Sequence, residues 1–348
     1  MSRRTSTAPT SPQKRTPVRL GTRASRLATT QSTMVARALD GHGLDVELVH
    51  VTTHGDVIST PLSQMGGTGV FASAIRADLL AGRCDIAVHS FKDLPTAQPL
   101  GLVVAAVPQR EDPHDALVAR DGLRLAELPA GARVGTGSPR RAAQLRAARP
   151  DLEVVDIRGN VDTRVGRVKG FGGREDLDAV VVAASGLRRL GRGGDISEAL
   201  DVSVMLPAPA QGALAVECRT TDARHGVLAR GLGAIDDLDT RLSATAERAV
   251  LAGLEAGCAA PVGCLARVRK GVLDLSAAVV AVDGTRSVRS QAGLELPDRP
   301  PEKADEIATL VGAAHALGLQ VARELLDQGA ARIADLHASK AGPEEATR

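Results

Sequence analysis

The sequence predicts two α/β modules with a ligand cleft between them, followed by a smaller α+β domain. The 348 residues are enough for two or three domains of ordinary size. Through about residue 234, continuous apolar strands alternate with helical segments, a pattern typical of parallel sheets that helices cover on both faces. Beyond about residue 264, apolar and polar residues alternate, which predicts an antiparallel meander.

The first two thirds of the chain supply the elements of the two modules. Strands are predicted at 18–22, 44–53, 85–90, 101–107, 115–119, 132–137, 152–157, 177–185 and 213–219. Helices are predicted at about 24–40 and 70–81, from Pro139, near 161–169, and at about 222–232 and 238–255. The Pro/Gly-rich stretch 206–212 predicts a crossover, and a cleft between such modules is the usual ligand site.

Turn signals at Lys270-Gly271 and Asp283-Gly284 divide the last third into the strands of the meander. A long amphipathic helix over about 302–328 is expected to pack on this sheet. At the other end of the chain, residues 1–16 are basic and rich in Ser and Thr, and they predict a disordered tail rather than a secretion signal. A short organelle transit segment is the alternative.

Two of the four cysteines, Cys258 and Cys264, lie in a loop of small residues, EAGCAAPVGC. Without a secretion signal the expected compartment is the reducing cytoplasm, which argues against a disulfide. Their spacing does not suit a zinc site, and no second His or Cys pair completes one. A metal and a disulfide are therefore both disfavoured, and a single thiol placed for attachment is the third possibility.

The charge balance argues against nucleic acid as a ligand. Net charge is +2, and only six lysines accompany 37 arginines, an excess that an arginine-rich genome could explain. Aromatic residues make up 1% of the chain, so platforms for stacking bases are nearly absent. No phosphate-binding loop motif is present, and no apolar run reaches the roughly 18 residues of a membrane helix.

Arginines stand where three predicted helices begin, each just after the carboxyl end of a strand. They are Arg23 and Arg26, then Arg140 and Arg141, then Arg158, Arg164 and Arg167. The helix dipole makes such positions unfavourable for cations by up to about 1 kcal/mol. The pattern therefore predicts an anion bound by guanidinium groups and backbone N–H groups. A multi-carboxylate small molecule fits best, and a solvated surface residue is the alternative for each arginine.

A second cluster, AVHSFKDLPT, ends another strand with His89, Ser90, Lys92 and Asp93. Strand ends carry the chemistry of α/β proteins. A carboxylate beside an anion-binding cleft could stabilise a developing cation and transfer protons. A surface ion pair between Lys92 and Asp93 is the plainer alternative, and Ser-His-Asp hydrolysis is disfavoured because no nucleophile-elbow motif is present.

Taken in order, the motifs resemble those of the porphobilinogen deaminase family over residues from about 18 to 335. They are GTRASRLA, THGD with GGTGVF, DIAVHSFKDLP, REDPHDALV, VGTGSPRRAAQL, IRGNVDTR, LPAPAQGALAVECR and ERAVLAGLEAGCAAPVG. The resemblance implies two periplasmic-binding-protein-like α/β domains plus a smaller C-terminal α+β domain. We expect domain 1 at 17–114 and 208–234, domain 2 at 115–207, and domain 3 at 238–340.

The resemblance also implies a function. Such an enzyme is a transferase that deaminates four porphobilinogen molecules and joins them head to tail onto a covalently bound dipyrromethane cofactor. Hydrolysis then releases 1-hydroxymethylbilane for tetrapyrrole and heme biosynthesis. The family is typically monomeric, and neither nucleic acid nor a membrane is an expected partner. A non-catalytic, two-lobed anion-binding protein is the alternative from a different class.

The resemblance assigns roles to individual residues. Cys258 would carry the cofactor through a thioether, and Asp93 would stabilise pyrrolic nitrogen charge and move protons. The other cofactor-binding residues would be Ser90, Lys92, Thr136, Ser138, Arg140, Arg141, Arg164 and Arg189. The substrate-binding residues would be Arg23, Ser25, Arg158 and Gln211. The remaining cysteines, Cys84, Cys218 and Cys264, are expected to be packing residues.

Four positions depart from the family pattern. Gln64 and Thr68 stand where lysines are frequent, Gly137 where serine is common, and Ala210 where glycine is common. These departures bear on the contacts of the loop near residue 66 and on the flexibility of the crossover. They leave Cys258, Asp93 and the arginines unchanged.

Overall fold

A computed structural model describes the chain over residues 15–51, 70–257 and 259–337. The expected tail up to residue 14, the residues Gln64 and Thr68, and Cys258 lie outside this part. The first strand begins at Thr16, earlier than expected, because the backbone N–H of Thr16 donates to the carbonyl of Gly43 at 3.1 Å. No helix in the described ranges is long and apolar enough to cross a membrane.

The first lobe is a mixed sheet with spatial strand order β2-β1-β3-β10-β4. Its strands are β1 (Thr16–Thr22), β2 (Leu44–His50), β3 (Ile86–Ser90), β4 (Leu102–Ala106) and β10 (Leu214–Arg219). Its helices are α1 (Arg26–Asp40), α2 (Val70–Leu80) and α6 (Gly226–Ile235). Strands β2, β1 and β3 run parallel, whereas β10 is antiparallel to both of its neighbours.

The second lobe has the order β7-β6-β8-β5-β9. Its strands are β5 (Asp115–Ala119), β6 (Arg133–Thr136), β7 (Glu153–Asp156), β8 (Ala179–Ala183) and β9 (Glu198–Ala199). Its helices are α3 (Pro139–Ala148), α4 (Val161–Val165) and α5 (Ala184–Arg189). Strand β6 is parallel to β7 and β8, and β5 is antiparallel to β8 and β9.

The two-lobe fold class is confirmed, but the sheets, which were expected to be parallel, are mixed. The antiparallel strands β5 and β10 are those that enter each lobe directly from a crossover, so the chain runs through the sheet in the opposite direction. Their continuous apolar sequences indicate that both faces of the strand are buried. Central strands have this property whether they are parallel or antiparallel. Strand direction was therefore not readable from the pattern.

The third unit is the predicted meander with its helices. It contains β11 (Val262–Arg269), β12 (Val272–Val280), β13 (Ser287–Glu295), α7 (Leu238–Gly253), α8 (Ala304–Asp327) and α9 (Ala330–Ile333). The strands are antiparallel in the order β11-β12-β13. Leu242 and Val250 of α7 share a buried apolar core with Leu317 and Val321 of α8, which fixes both helices to the sheet.

One buried carboxylate joins all three parts. Glu247 of α7 is fully buried and accepts hydrogen bonds from Arg110 Nη1 at 2.6 Å and Nη2 at 2.9 Å. It also accepts from the backbone N–H groups of Ala210 and Ala266, at 2.5 and 2.7 Å. Arg110 Nε donates to the carbonyl of Gln211 at 2.8 Å. Both crossovers between the lobes and the first meander strand thus meet at Glu247.

The two crossovers pass each other closely. The N–H of Glu111 donates to the carbonyl of Gly212 at 3.3 Å, and a Cβ atom on Gly212 would lie 2.3 Å from the carbonyl oxygen of Glu111. Gly212 has a φ of +89°, so glycine is required there. Ala210 also has a positive φ, 59°, a conformation that is unfavourable for an alanine by about 1–2 kcal/mol. The departure at 210 therefore keeps the backbone that glycine favours.

We predict that Glu247→Gln lowers the free energy of unfolding by about 3–5 kcal/mol, because the buried guanidinium of Arg110 loses its counter-charge. Urea unfolding followed by circular dichroism measures the change. The matched control is Glu306→Gln, whose partner Arg299 keeps 64% of its side chain exposed. That variant should lose less than about 1 kcal/mol, and equal losses in the two variants would contradict the role of Glu247.

Candidate functional site

The predicted site residues lie where parallel strands end and the next element begins. Arg23 and Ser25 follow β1, and Lys92 and Asp93 follow β3 in a 3₁₀ turn (Phe91–Asp93) after Ser90. Thr136 ends β6, and Ser138, Arg140 and Arg141 begin α3; Arg158 and Arg164 follow β7; Arg189 ends α5. Each lobe therefore presents its candidate residues at the carboxyl edge of its parallel strands, where α/β folds bind ligands.

The helix starts are built by side-chain caps. Ser138 accepts a hydrogen bond from the N–H of Arg141 at 3.5 Å, and Asn160 accepts one from the N–H of Thr163 at 2.8 Å. Ser25 caps α1 in the same way. Because these serine oxygens act as acceptors, their hydroxyl protons remain able to donate to a bound anion.

Asp115 lies at the centre of the hydrogen-bond network that the second lobe adds to the candidate site. The sequence analysis did not single out this residue. Its fully buried carboxylate accepts from Arg140 Nη1 at 2.7 Å and from Arg141 Nε at 2.9 Å. Burial acts to raise the pKa of Asp115, but the two guanidinium groups hold it well below its usual range. The sequence carried a signal for this residue, because Asp115 begins a strand of five buried residues. A buried carboxylate needs a cation nearby.

This finding refines the expectation for Arg140 and Arg141. Both are buried, and the anion that they meet belongs to the protein itself. Arg141 also donates to the carbonyl of Val181 at 3.3 Å, so each of its nitrogens has a partner. Arg140 differs, because its Nε is buried without a hydrogen-bond partner in the described residues. An outside carboxylate at this place would have to share these donors.

Gln211 links the two lobes through this network. Its side-chain oxygen accepts from Arg141 Nη2 at 3.3 Å and from Lys92 Nζ at 3.2 Å. Its side-chain nitrogen donates to Asp115 Oδ1 at 2.8 Å and to the carbonyl of Pro113 at 2.8 Å. Gln211 is fully buried on the crossover, so the lysine of the first lobe and the arginines of the second lobe share one amide.

Lys92 lies among these cations. Burial is the main reason that its pKa falls to about 8; the carboxylate of Asp93 opposes the shift, and Arg141 adds to it. Asp93 itself is exposed at the end of the 3₁₀ turn. Ser90 is oriented by Gln31 of α1, whose side-chain nitrogen donates to its hydroxyl at 2.9 Å. The turn therefore presents one carboxylate to solvent beside a cationic network.

The remaining arginines lie at different distances from this network. Burial and the nearby Arg141 lower the pKa of Arg164, whose Nε donates to the carbonyl of Gly159 at 2.8 Å. Arg189 Nη2 donates to the carbonyl of Gly212 at 2.6 Å, and its buried Nε has no hydrogen-bond partner in the described part. Arg158 is exposed, 4.0 Å from the carboxylate of Asp156, and its described contacts do not join the network.

The lobes also meet through Arg26, at the start of α1. Its Nη2 donates to the carbonyl of Leu190 at 3.3 Å, and its Nη1 lies 3.5 Å from Asp162 Oδ2. The first helix of lobe 1, which follows Arg23 and is capped by Ser25, therefore touches the end of α5 and the start of α4 in lobe 2. Arg23 and Ser25 thus lie just before a helix whose first residue contacts the second lobe.

Gly137, one of the departures from the family pattern, stands between Thr136 and Ser138. A Cβ atom there would lie 2.3 Å from the backbone oxygen of Ile157. Thr136 is buried, and its hydroxyl accepts from the N–H of Ser138 at 3.2 Å. A serine at 137 would have to displace the backbone, so glycine gives this chain a tighter turn beside Arg164.

Three of the cysteines are free and buried, as expected for packing residues: Cys84, Cys218 and Cys264. Burial raises the pKa of Cys84 to about 11 and that of Cys218 to about 12. The pKa of Cys264 is also raised well above its usual value by burial. These thiols are poor nucleophiles at neutral pH, because the thiolate is the reactive form.

Comparison with known proteins shows one family over most of the chain. The family model "Porphobilinogen deaminase, dipyromethane cofactor binding domain" matches residues 18–226, and "Porphobilinogen deaminase, C-terminal domain" matches residues 241–327. The porphobilinogen deaminase of Cutibacterium acnes is 64% identical over 334 residues, covering 92% of this chain and 98% of that protein. That of Thermobifida fusca is 54% identical over 320 residues, covering 91% and 96%.

We predict that the Lys92 ammonium titrates near pH 8. Because its pKa is lower in the folded protein than the ordinary 10.5, the folded chain loses this proton first, and Lys92 makes the free energy of unfolding rise with pH between about 8 and 10.5. Nuclear magnetic resonance of protein with isotope-labelled lysine should show a side-chain signal with this midpoint that disappears in Lys92→Arg. A midpoint near 10.5 for the assigned signal would contradict the buried network.

Proposed function

This chain belongs to the porphobilinogen deaminase family, and on that premise we propose how its residues deaminate and join porphobilinogen. It is a transferase that adds four porphobilinogen molecules head to tail to a dipyrromethane cofactor and releases 1-hydroxymethylbilane by hydrolysis. Each addition releases one ammonia. The observation that carries the residue-level proposal is the cationic network of Lys92, Gln211 and Arg141 beside the exposed carboxylate of Asp93.

The residues present suit an acidic cofactor. Buried N–H groups in proteins are nearly always hydrogen-bonded, yet Arg140 Nε and Arg189 Nε have no partner in the described ranges. Carboxylate side chains of a dipyrromethane would supply acceptors for such donors. We assign cofactor binding to these two arginines and to the residues around them, Ser90, Lys92, Thr136, Ser138, Arg141 and Arg164.

When bound, dipyrromethane supplies the pyrrole carbon to which the first porphobilinogen is joined. Asp93 would act electrostatically and in proton transfer: its exposed carboxylate would stabilise positive charge that develops on a pyrrole nitrogen and would accept the proton that leaves. Lys92, with a pKa near 8, is cationic at neutral pH and holds a carboxylate of the ligand. Arg23, Ser25, Arg158 and Gln211 are assigned to the incoming substrate.

We propose Cys258 as the attachment point. The other three cysteines are buried and their pKa values are raised, which makes each of them unsuitable for attack on an electrophilic carbon. Helix α7 ends at Gly253, five residues before Cys258, so the proposed anchor follows a helix of the third unit. A thioether formed there would be stable to the repeated cycles.

The remaining assignments are part of the same proposal. Domain 1 comprises residues 17–114 and 208–234, domain 2 residues 115–207, and domain 3 residues 238–340. The protein acts in the cytoplasm as a monomer. Gel filtration of the full chain tests the monomeric state. Family membership favours the enzyme over a non-catalytic two-lobed anion-binding protein, because the matched relatives are named as deaminases.

We expect the intact mass of purified protein to exceed the sequence mass by one dipyrromethane, and Cys258→Ser to lack this excess and to be inactive. Cys218→Ala is the matched control: it removes a cysteine that is buried, so the mass excess should remain. Denaturing mass spectrometry reads both. A Cys258→Ser protein that kept the added mass, or that turned over substrate, would overturn the attachment site.

For Asp93→Asn we expect kcat to fall by about 10²–10⁴-fold, the usual contribution of a group that transfers protons. The cofactor should remain attached, because the variant leaves the thiol untouched. Asp121→Asn, a change at an exposed carboxylate of lobe 2, is the control and should keep wild-type turnover. Steady-state kinetics on mass-verified protein distinguishes the two, and near-normal rates for Asp93→Asn would remove it from catalysis.

A further inference from the structure

Arg248 of α7 reaches from the third unit into the turn that presents Asp93. Its Nη1 donates to the carbonyls of Phe91 at 3.1 Å and Leu94 at 2.8 Å, and its Nη2 donates to the carbonyl of Pro95 at 2.6 Å. The guanidinium carbon lies 4.5 Å from the centre of the Phe91 ring, so the group also stacks on that ring. One side chain therefore binds backbone carbonyls on both sides of Asp93, at Phe91 before it and at Leu94 and Pro95 after it.

These contacts fix the segment on both sides of Lys92 and Asp93. The backbone of the turn has few other ties: the N–H of Phe91 donates to the carbonyl of Ala213 at 3.1 Å, and that of Leu94 donates to the carbonyl of Phe91 at 3.3 Å. Among the side chains of the turn, Lys92 donates to Gln211 at 3.2 Å. Phe91 and Leu94 are buried, whereas Asp93 between them is exposed. The backbone carbonyls of the two buried residues are acceptors that need hydrogen-bond donors. The orientation of the exposed Asp93 between them depends on how these two residues are held.

We propose that Arg248 is a positioning residue that sets the direction of the Asp93 carboxylate and ties it to the unit that carries the cofactor cysteine. This inference rests on the roles proposed above for Asp93 and Cys258. Arg248 precedes the end of α7 at Gly253 by five residues. The helix that leads to the attachment point is thus the same helix that holds the catalytic turn.

A planar guanidinium suits this task better than a lysine ammonium does. The fork of Arg248 addresses three carbonyls and one ring face at once, whereas an ammonium is a point charge with no stacking plane. Arg248→Lys keeps the charge next to Arg76 and Glu217, the groups that act on Arg248 electrostatically. It therefore removes geometry rather than charge, which makes it the informative variant.

The chain offers a matched control on the same helix. Arg241 of α7 donates to the carbonyls of Val104 at 3.3 Å and Ala105 at 3.0 Å, in β4 of lobe 1. Like Arg248, it joins the third unit to lobe 1 through backbone carbonyls, but it touches a strand that carries none of the proposed site residues. A purely structural role for Arg248 predicts that the two lysine variants behave alike.

The experiment compares Arg248→Lys with Arg241→Lys in full-length, cofactor-loaded protein checked by intact mass. We expect kcat of Arg248→Lys to fall at least tenfold with KM within about twofold, and Arg241→Lys to stay within twofold in both, although both melt at lower temperature. Wild-type kcat in Arg248→Lys, or equal losses of kcat in the two variants, would overturn the proposal.

Phe91→Leu provides a second test if Arg248→Lys does not fold. It removes the ring under the guanidinium but leaves all three carbonyls, and it should lower kcat severalfold with the cofactor attached; unchanged kcat would contradict positioning through this contact. Asp93→Asn is measured alongside. If that variant is fully active, the proposed role of Asp93 fails, and this failure is distinguishable from a failure of Arg248 to position it.

Discussion

The cationic cleft depends on the negative charge of Asp115. Two guanidinium groups buried side by side would be strongly unfavourable, since an isolated buried ion costs several kcal/mol. Asp115 offsets both, from a strand that is buried along its whole length. Gln211 then extends the arrangement to Lys92 in the other lobe. The candidate site is thus an internal ion cluster whose donors are held in place by groups of the protein itself.

The elements of the fold were predictable because their signals are local. Ser138 and Pro139 specify the start of α3, and the turn at Lys270-Gly271 specifies the first hairpin of the meander. Strand direction was not predictable, since β5 and β10 carry the same continuous apolar pattern as their parallel neighbours. Direction depends on which lobe the chain comes from, and that is a property of the whole topology.

The site could be predicted in part for the same reason. Lys92 and Asp93 follow the end of a strand, and Arg140 and Arg141 begin a helix, so their positions follow from neighbouring residues. Their partners lie far along the chain: Arg141 donates to Gln211, and Arg248 donates to the carbonyl of Phe91 in the turn that carries Asp93. Such pairs leave no periodic trace in the sequence. A charged residue in an apolar strand, as at Asp115, is the one signal that could have revealed a partner.

The burial of three thiols has a consequence for an enzyme that generates an electrophilic carbon inside its own cleft. Sulfur is the atom most readily alkylated by such a species, and an unshielded cysteine would compete with the intended acceptor. Cys84, Cys218 and Cys264 are enclosed by apolar side chains and remain protonated at neutral pH. Close packing, which serves stability in most proteins, would in such an enzyme also keep these three thiols from being alkylated.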